Sequence, residues 1–230
     1  MKLIILDRDG VINQDSDAFI KSPDEWIPIP GSLEAIARLT KAGYSVVVAT
    51  NQSGLGRKLF DITTLNAIHQ KMQASVKALG GSIPAVMFCP HLPTDDCDCR
   101  KPKAGMFLTI GKRFDVDLAG IPAVGDSLRD LQAGFLAGCK PYLVLTGKGK
   151  QTVEKGGLPP ETVIFNDLAA VAAHLLENDA KAEAEQDFKT VPEVTSDPET
   201  KPKTKATPKA KSEAKTKTSG KKKSDGNTKK

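Results

Sequence analysis

Leu3-Ile4-Ile5-Leu6-Asp7-Arg8-Asp9-Gly10 carries an apolar run straight into two carboxylates one residue apart. Four consecutive large aliphatic residues, ended by charge, read as a strand buried on both faces, as in a parallel sheet covered by helices. Asp7 and Asp9 then stand where that strand stops. Such a pair can hold a divalent cation and attack a phosphorus centre, Asp7 as nucleophile and Asp9 moving protons. An Asp-x-Asp alone is also an ordinary acidic turn, so its weight depends on what gathers beside it.

The rest of the chain alternates strand and helix signals. Residues 32–42 read as a helix capped by Ser32, with Leu33, Ile36, Ala37 and Leu39 inward and Gly43 as the stop. A strand follows at 44–49, then a helix opened by Asp61 or Thr63 that keeps Leu65, Ile68, Met72, Val76 and Leu79 in period. Strands at 85–89, 122–125, 142–145 and 163–165 alternate with helices at 104–114, 128–137 and 167–177. The expected fold is therefore α/β, a Rossmann-like, mainly parallel sheet with helices on both faces. In such sheets ligands bind beyond the carboxyl ends of the strands. Asp7 and Asp9, Thr50-Asn51, a Cys/His loop and Gly125-Asp126 all fall at strand ends, so they are expected to share one cleft.

From Lys201 onward 12 Lys face only Glu213 and Asp225, a net of +10, which leaves residues 1–200 at −5 against the whole chain's +5. Residues 179–230 have few large apolar side chains, so they are expected to be a disordered Lys-rich tail after a domain over 1–178. No stretch has the roughly 20 apolar residues that span a bilayer. The first apolar run ends at Asp7, too soon for a signal peptide. A cytoplasmic protein without a membrane partner is expected, acting as a monomer on a small molecule. A different class of function starts from the tail, whose lysines resemble arms that coat polyanions weakly and without specificity by counterion release.

Asp126 in Val124-Gly125-Asp126 would complete a hard oxygen site for Mg²⁺ with Asp7. Thr50 and Asn51 are small donors suited to phosphoryl oxygens, and Lys101 supplies positive charge for a phosphoryl-transfer transition state. Gln52-Ser53-Gly54-Leu55-Gly56-Arg57 matches neither a dinucleotide fingerprint nor a P-loop, which argues against nucleotide binding there. Cys89-Pro90-His91 and Cys97-Asp98-Cys99 match a closed tetrahedral Zn²⁺ site that would pin the 89–99 loop and deliver Arg100 and Lys101. Cys139 reads as a core thiol, and His69 and His174 as surface or capping residues.

Asp7-Arg8-Asp9-Gly10-Val11-Ile12-Asn13, Thr50-Asn51-Gln52-Ser53-Gly54, Cys99-Arg100-Lys101-Pro102 and Val124-Gly125-Asp126, in that order and with the zinc loop, resemble the haloacid dehalogenase (HAD) superfamily of phosphatases. Within it they are similar to a small zinc-loop branch acting on heptose bisphosphate or histidinol phosphate. The resemblance covers residues 1–178. It implies an aspartyl-phosphate mechanism, Mg²⁺ at Asp7, Asp126 and the main-chain carbonyl of Asp9, and structural Zn²⁺ at Cys89, His91, Cys97 and Cys99. It implies phosphoryl stabilisation by Thr50 and Lys101, substrate recognition by Arg100, and sugar-phosphate contacts at Asp15, Ser16, Asp17, Ala18, Thr50, Asn51, Gln52 and Ser53. Many members have Lys after the fourth-motif Asp where this chain has Ser127, which leaves Arg57 or Arg129 for the non-reacting phosphate. The implied role is removal of the 7-phosphate of a heptose 1,7-bisphosphate during synthesis of nucleotide-activated heptose for lipopolysaccharide, with histidinol phosphate as the alternative substrate. Residues 10–30, between the first strand and first helix, are too few for a large cap domain.

Overall fold

Side chains of the first strand alternate between two buried layers. Ile4 and Leu6 join Val46, Val48, Val124 and Tyr142 in one core, while Leu3 and Ile5 join Val47, Ala49 and Ala85 in the other. The structure, a computed structural model, describes residues 1–189. Its strands are Lys2–Leu6 (β1), Tyr44–Asn51 (β2), Ala85–Cys89 (β3), Pro122–Gly125 (β4), Lys140–Val144 (β5) and Val163–Phe165 (β6). They form one sheet in the order β3-β2-β1-β4-β5-β6, every neighbouring pair parallel. Helices Ser32–Lys41 (α1), Ile62–Ala78 (α3) and Leu168–Lys189 (α7) cover the first core, and Gly105–Phe114 (α4) and Leu128–Leu136 (α5) cover the second. Each Leu or Ile fully buried this way contributes about 1.5–3 kcal/mol before chain entropy is counted.

The chain steps from β1 through β2 to β3 at one edge, then returns to β4 on the other side of β1. This reversal opens a crevice at the carboxyl ends of β1 and β4, the place where such sheets bind ligands. Register fixes what faces it: Leu6 pairs with Val48 and Val124, and the Asp7 N–H donates to the Val124 carbonyl at 2.8 Å. Asp7 and Asp126 therefore emerge side by side.

Several local expectations change. Ser32 is the first residue of α1 rather than its cap, because its hydroxyl donates to the Val11 carbonyl at 2.9 Å and ties the helix to the first loop. β2 runs on through Thr50 and Asn51, which pair with Phe88 and Cys89 of β3. Two short helices carry too few apolar residues to show a period: Ser53–Gly56 (α2) and Gly149–Lys155 (α6). The last helix, expected to stop at 177, continues to Lys189 through strong helix formers, and Lys2 pairs with Asp179 at 2.9 Å. The first part of the expected disordered tail is thus helical. Residues 190–230, with the Lys-rich arm and its polyanion reading, lie outside the described residues. No helix among the described residues is long and apolar enough to cross a membrane.

Candidate active site

Asp7, Asp126 and Asp130 place carboxylate oxygens within 4.8 Å of one another at the β1–β4 crevice. All three are buried. Asp7 leaves β1, Asp126 leaves β4, and Asp130 projects from the first turn of α5. The backbone is cut close around Asp126: a Cβ on Gly10 or Gly147, both at positive φ, would come within 2.0 and 2.1 Å of its Oδ2. The Lys148 N–H donates to that same oxygen at 2.8 Å. Burial, then the charges of Asp130 and Asp7, push Asp126 up to about 8. Burial raises Asp7 to about 6 against the pull of Lys101. Three crowded acids and a hard-oxygen donor set fit a divalent cation of the Mg²⁺ type, which supplies the charge they lack.

Lys101 is the counter-ion. Its ammonium lies 2.9 Å from Asp7 Oδ1 and 2.6 Å from Asp130 Oδ1, and donates to the Ala49 carbonyl at 2.8 Å. Burial would lower Lys101, but Asp130 and Asp7 outweigh it and hold the ammonium charged. For Asp130 burial is likewise outweighed, by Lys101 and Arg129, and its carboxyl stays below the usual range. Asn51 clasps the Lys101 backbone: its amide donates to the Lys101 carbonyl at 3.0 Å and its oxygen accepts from the Lys101 N–H at 3.1 Å. Asn51 thus holds the Lys101 backbone while also lining the cavity. Asp130 was missed altogether. Its signal was the Ser127-x-x-Asp130 spacing, a capping box in which each residue's side chain bonds the other's backbone N–H.

Asp9 faces a different set of partners. The Arg8 Nε and Nη2 donate to its carboxylate at 2.9–3.1 Å, the Asn13 amide at 2.9 Å and the Gln52 amide at 2.9 Å. Burial would raise Asp9, but Arg8, Asn13 and Gln52 together bring it below the usual carboxylate range. The Gln52 amide also donates to the Thr50 hydroxyl at 2.9 Å, so Thr50 and Asp9 are bridged by one side chain. Arg8 is 1% exposed, and its Nη1 lies 3.2 Å from His69 Nε2. His69, expected at the surface, is instead buried in α3. It falls on the Leu65, Ile68, Met72, Val76 stripe, a spacing visible in the sequence.

Above these groups is a cavity of about 310 Å³ lined by Asp7, Asp9, Asp15, Ser16, Asp17, Thr50, Asn51, Gln52 and Ser53. The cations Arg57, Arg100, Arg129 and Lys148 also reach it. Lys148 bridges Asp15 at 3.1 Å and Asp17 at 3.0 Å, which anchors the loop after the first strand to the segment before α6. Ala18 is exposed and does not line the cavity; Phe19 and Ile20 do. Lys101 and Asp126 lie beneath the lining. Arg57 stacks on Phe19 with its guanidinium carbon 5.8 Å from the ring centre.

The zinc loop closes on itself. Cys89 Sγ and Cys99 Sγ lie 3.5 and 3.4 Å from His91 Nδ1, and both lie 3.7 Å from Cys97 Sγ. A tetrahedral ion with bonds of about 2.3 Å to sulfur and about 2.0 Å to nitrogen has edges near these lengths. The four donors therefore fit Zn²⁺ with no open position. Cys97 and Cys99 pack against the second core, and Arg100, directly after them, donates to the His91 carbonyl at 3.1 Å. Cys139 is a core thiol as expected.

A HAD-hydrolase-like family profile matches residues 98–171, and the profile of polynucleotide kinase 3 phosphatase matches residues 2–128. The chain is 65% identical over 177 residues to the D-glycero-beta-D-manno-heptose-1,7-bisphosphate 7-phosphatase of Bordetella bronchiseptica, covering 77% of this chain and 99% of that one. The crystal structure of D,D-heptose 1,7-bisphosphate phosphatase from that organism, complexed with magnesium and phosphate, superposes with a TM-score of 0.77 and the same coverage. The D,D-heptose 1,7-bisphosphate phosphatase of Burkholderia thailandensis gives 0.63 at 55% identity, covering 76% of this chain and 99% of that one. A carboxylate-bearing strand end, an ammonium against it and an acid pair across the crevice thus occur in a chain that belongs to the HAD phosphatases, hydrolases of phosphate esters.

Proposed function

We propose that this chain removes the 7-phosphate of D-glycero-β-D-manno-heptose 1,7-bisphosphate with Mg²⁺, by way of an aspartyl-phosphate on Asp7. The observation that carries the reading is the cavity. Asp7, Asp9 and Thr50 form a reacting pole in its lining with the Lys101 ammonium beneath, against Asp7, and four further cations line it for a second phosphate. The carboxylates of Asp15 and Asp17 and the Ser16 hydroxyl, also in the lining, suit sugar hydroxyls between the poles. The names of the relatives support the same substrate.

Asp7 Oδ attacks phosphorus as the bond to the sugar oxygen breaks, and that oxygen takes the proton that Asp9 first binds from solvent as substrate enters, against the Arg8, Asn13 and Gln52 donors that favour its carboxylate. Asp9 then takes a proton from water, whose oxygen attacks phosphorus and frees phosphate, restoring the Asp7 carboxylate. Thr50 and Lys101 hold the equatorial oxygens, and Asn51 keeps Lys101 aimed. Mg²⁺ held by Asp7, Asp126 and the Asp9 carbonyl, with Asp130 beside them, would offset the repulsion between carboxylate and phosphate. Zn²⁺ at Cys89, His91, Cys97 and Cys99 would be structural. The product would feed nucleotide-activated heptose synthesis in the cytoplasm.

The test is phosphate release from the α and β heptose bisphosphates and from histidinol phosphate, each with and without Mg²⁺. The β anomer is expected to have the highest kcat/KM. A preference for histidinol phosphate would overturn the assignment.

A further inference from the structure

His69 is buried beside the cleft, and no step above uses it. Its Nε2 meets Arg8 Nη1 at 3.2 Å, while the Nε and Nη2 of the same guanidinium bond the Asp9 carboxylate. A guanidinium only donates, so Nε2 must accept, which leaves the His69 proton on Nδ1 and the ring neutral. We propose that His69 is a positioning residue: it holds Arg8 so that the other edge of its fork orients Asp9 for proton transfer. This rests on the acid–base reading of Asp9.

Three features support it. Arg8 is 1% exposed, although it borders the cavity and His69 borders an open pocket beside Phe88, and a largely buried charged donor that loses its acceptor at Nη1 is costly enough to turn the fork. His69 is fixed by α3, whose Leu65, Ile68, Met72 and Val76 are fully buried, and its ring packs at a tilt on Phe88 with centroids 6.1 Å apart. Burial, followed by the Arg8 charge, pushes His69 down to about 4, so the ring remains an acceptor through the neutral range. The proton-carrying carboxylate is thereby tied, through one arginine, to a long helix outside the cavity.

A leaving sugar alkoxide needs a proton in the transition state, whereas nitrophenolate leaves without one. The variants His69→Leu, which lacks an acceptor, and His69→Gln, which keeps one, are compared on the heptose bisphosphate and on p-nitrophenyl phosphate by the single-turnover rate of leaving-group release, since the later attack of water through Asp9 is common to both esters. His69→Leu is expected to lower the single-turnover release rate on the sugar ester about tenfold with half-saturation within about twofold, and to lower that on the aryl ester at least about threefold less. His69→Gln is expected to recover most of the loss. Equal losses on both esters, no loss, or Gln behaving as Leu would overturn the proposal. Nitrogen-15 NMR of the unaltered protein reads the tautomer whether or not the Leu variant folds; a proton on Nε2 would also overturn it. Asp9→Asn separates the two readings. If Asp9→Asn spares the aryl ester and His69→Leu does not, the positioning role alone fails. If neither discriminates, the acid–base role of Asp9 fails with it.

Discussion

Asp7 and Asp9 are separated by a single residue and chemically alike, yet the structure gives them opposite company. Asp7 faces an ammonium and two other acids, and burial raises it to about 6. Asp9 accepts from Arg8, Asn13 and Gln52 and is brought below the usual range. Removing the Asp7 charge should therefore separate chemistry from stability. Asp7→Asn is expected to reduce kcat by more than about 10³-fold, since nucleophile and metal ligand go together. Its melting temperature should not fall, because the crowding of buried carboxylates is relieved while Lys101 keeps Asp130 and the Ala49 carbonyl as partners. Turnover within tenfold of the parent would end the nucleophile assignment. The residue pattern announced Asp7, Asp9 and Asp126. It did not announce Asp130, Arg8 or His69, because a capping acid, a surface-type cation and a helical histidine look the same whether or not a cleft lies beside them.

Among the described elements, the Cys/His loop over 89–99 has little apolar side chain of its own beyond the cysteines that pack against the second core. Only Cys89 of its four donors is fully buried, and the loop closes through sulfur and imidazole. Cys97→Ser is expected to lower the melting temperature by roughly 5–10 °C, at about 2–4 °C per kcal/mol for a domain of this size. Chelation of the parent should give a comparable loss, and calorimetry with and without chelator checks both. A parent indifferent to chelation would remove the zinc. The strands were legible as short unbroken apolar runs ended by polar residues, and the long helices because their apolar residues recur near 3.6. α2 and α6 were not, having four and seven residues with little apolar content. Ser32 misled because a hydroxyl at a helix start caps by default, and only the fold brought the Val11 carbonyl to it.

For the chain as a whole, charge is divided unevenly: residues 1–200 carry a net −5 and the last thirty +10. Catalysis needs only the acidic part. Ending the chain at residue 190 is expected to leave kcat and KM within about twofold while abolishing salt-sensitive retention on DNA, since each neutralised phosphate adds about one to the salt slope. Equal retention of both forms would dismiss polyanion binding by the arm.

The order of apolar runs, the acids at their ends and the paired Cys/His clips are local properties, so the sequence alone determined an α/β sheet, the strand-end acids and the Cys/His cluster. Which acids meet depends on strand order, and that is decided only when β4 returns to pair with β1. Tertiary packing alone placed Asp130 on Lys101, turned Asn51 to the Lys101 backbone and buried His69 against Arg8. Hydrogen bonds and ion pairs act over a few ångströms between residues up to fifty or more apart in the chain, a separation across which no spacing rule operates.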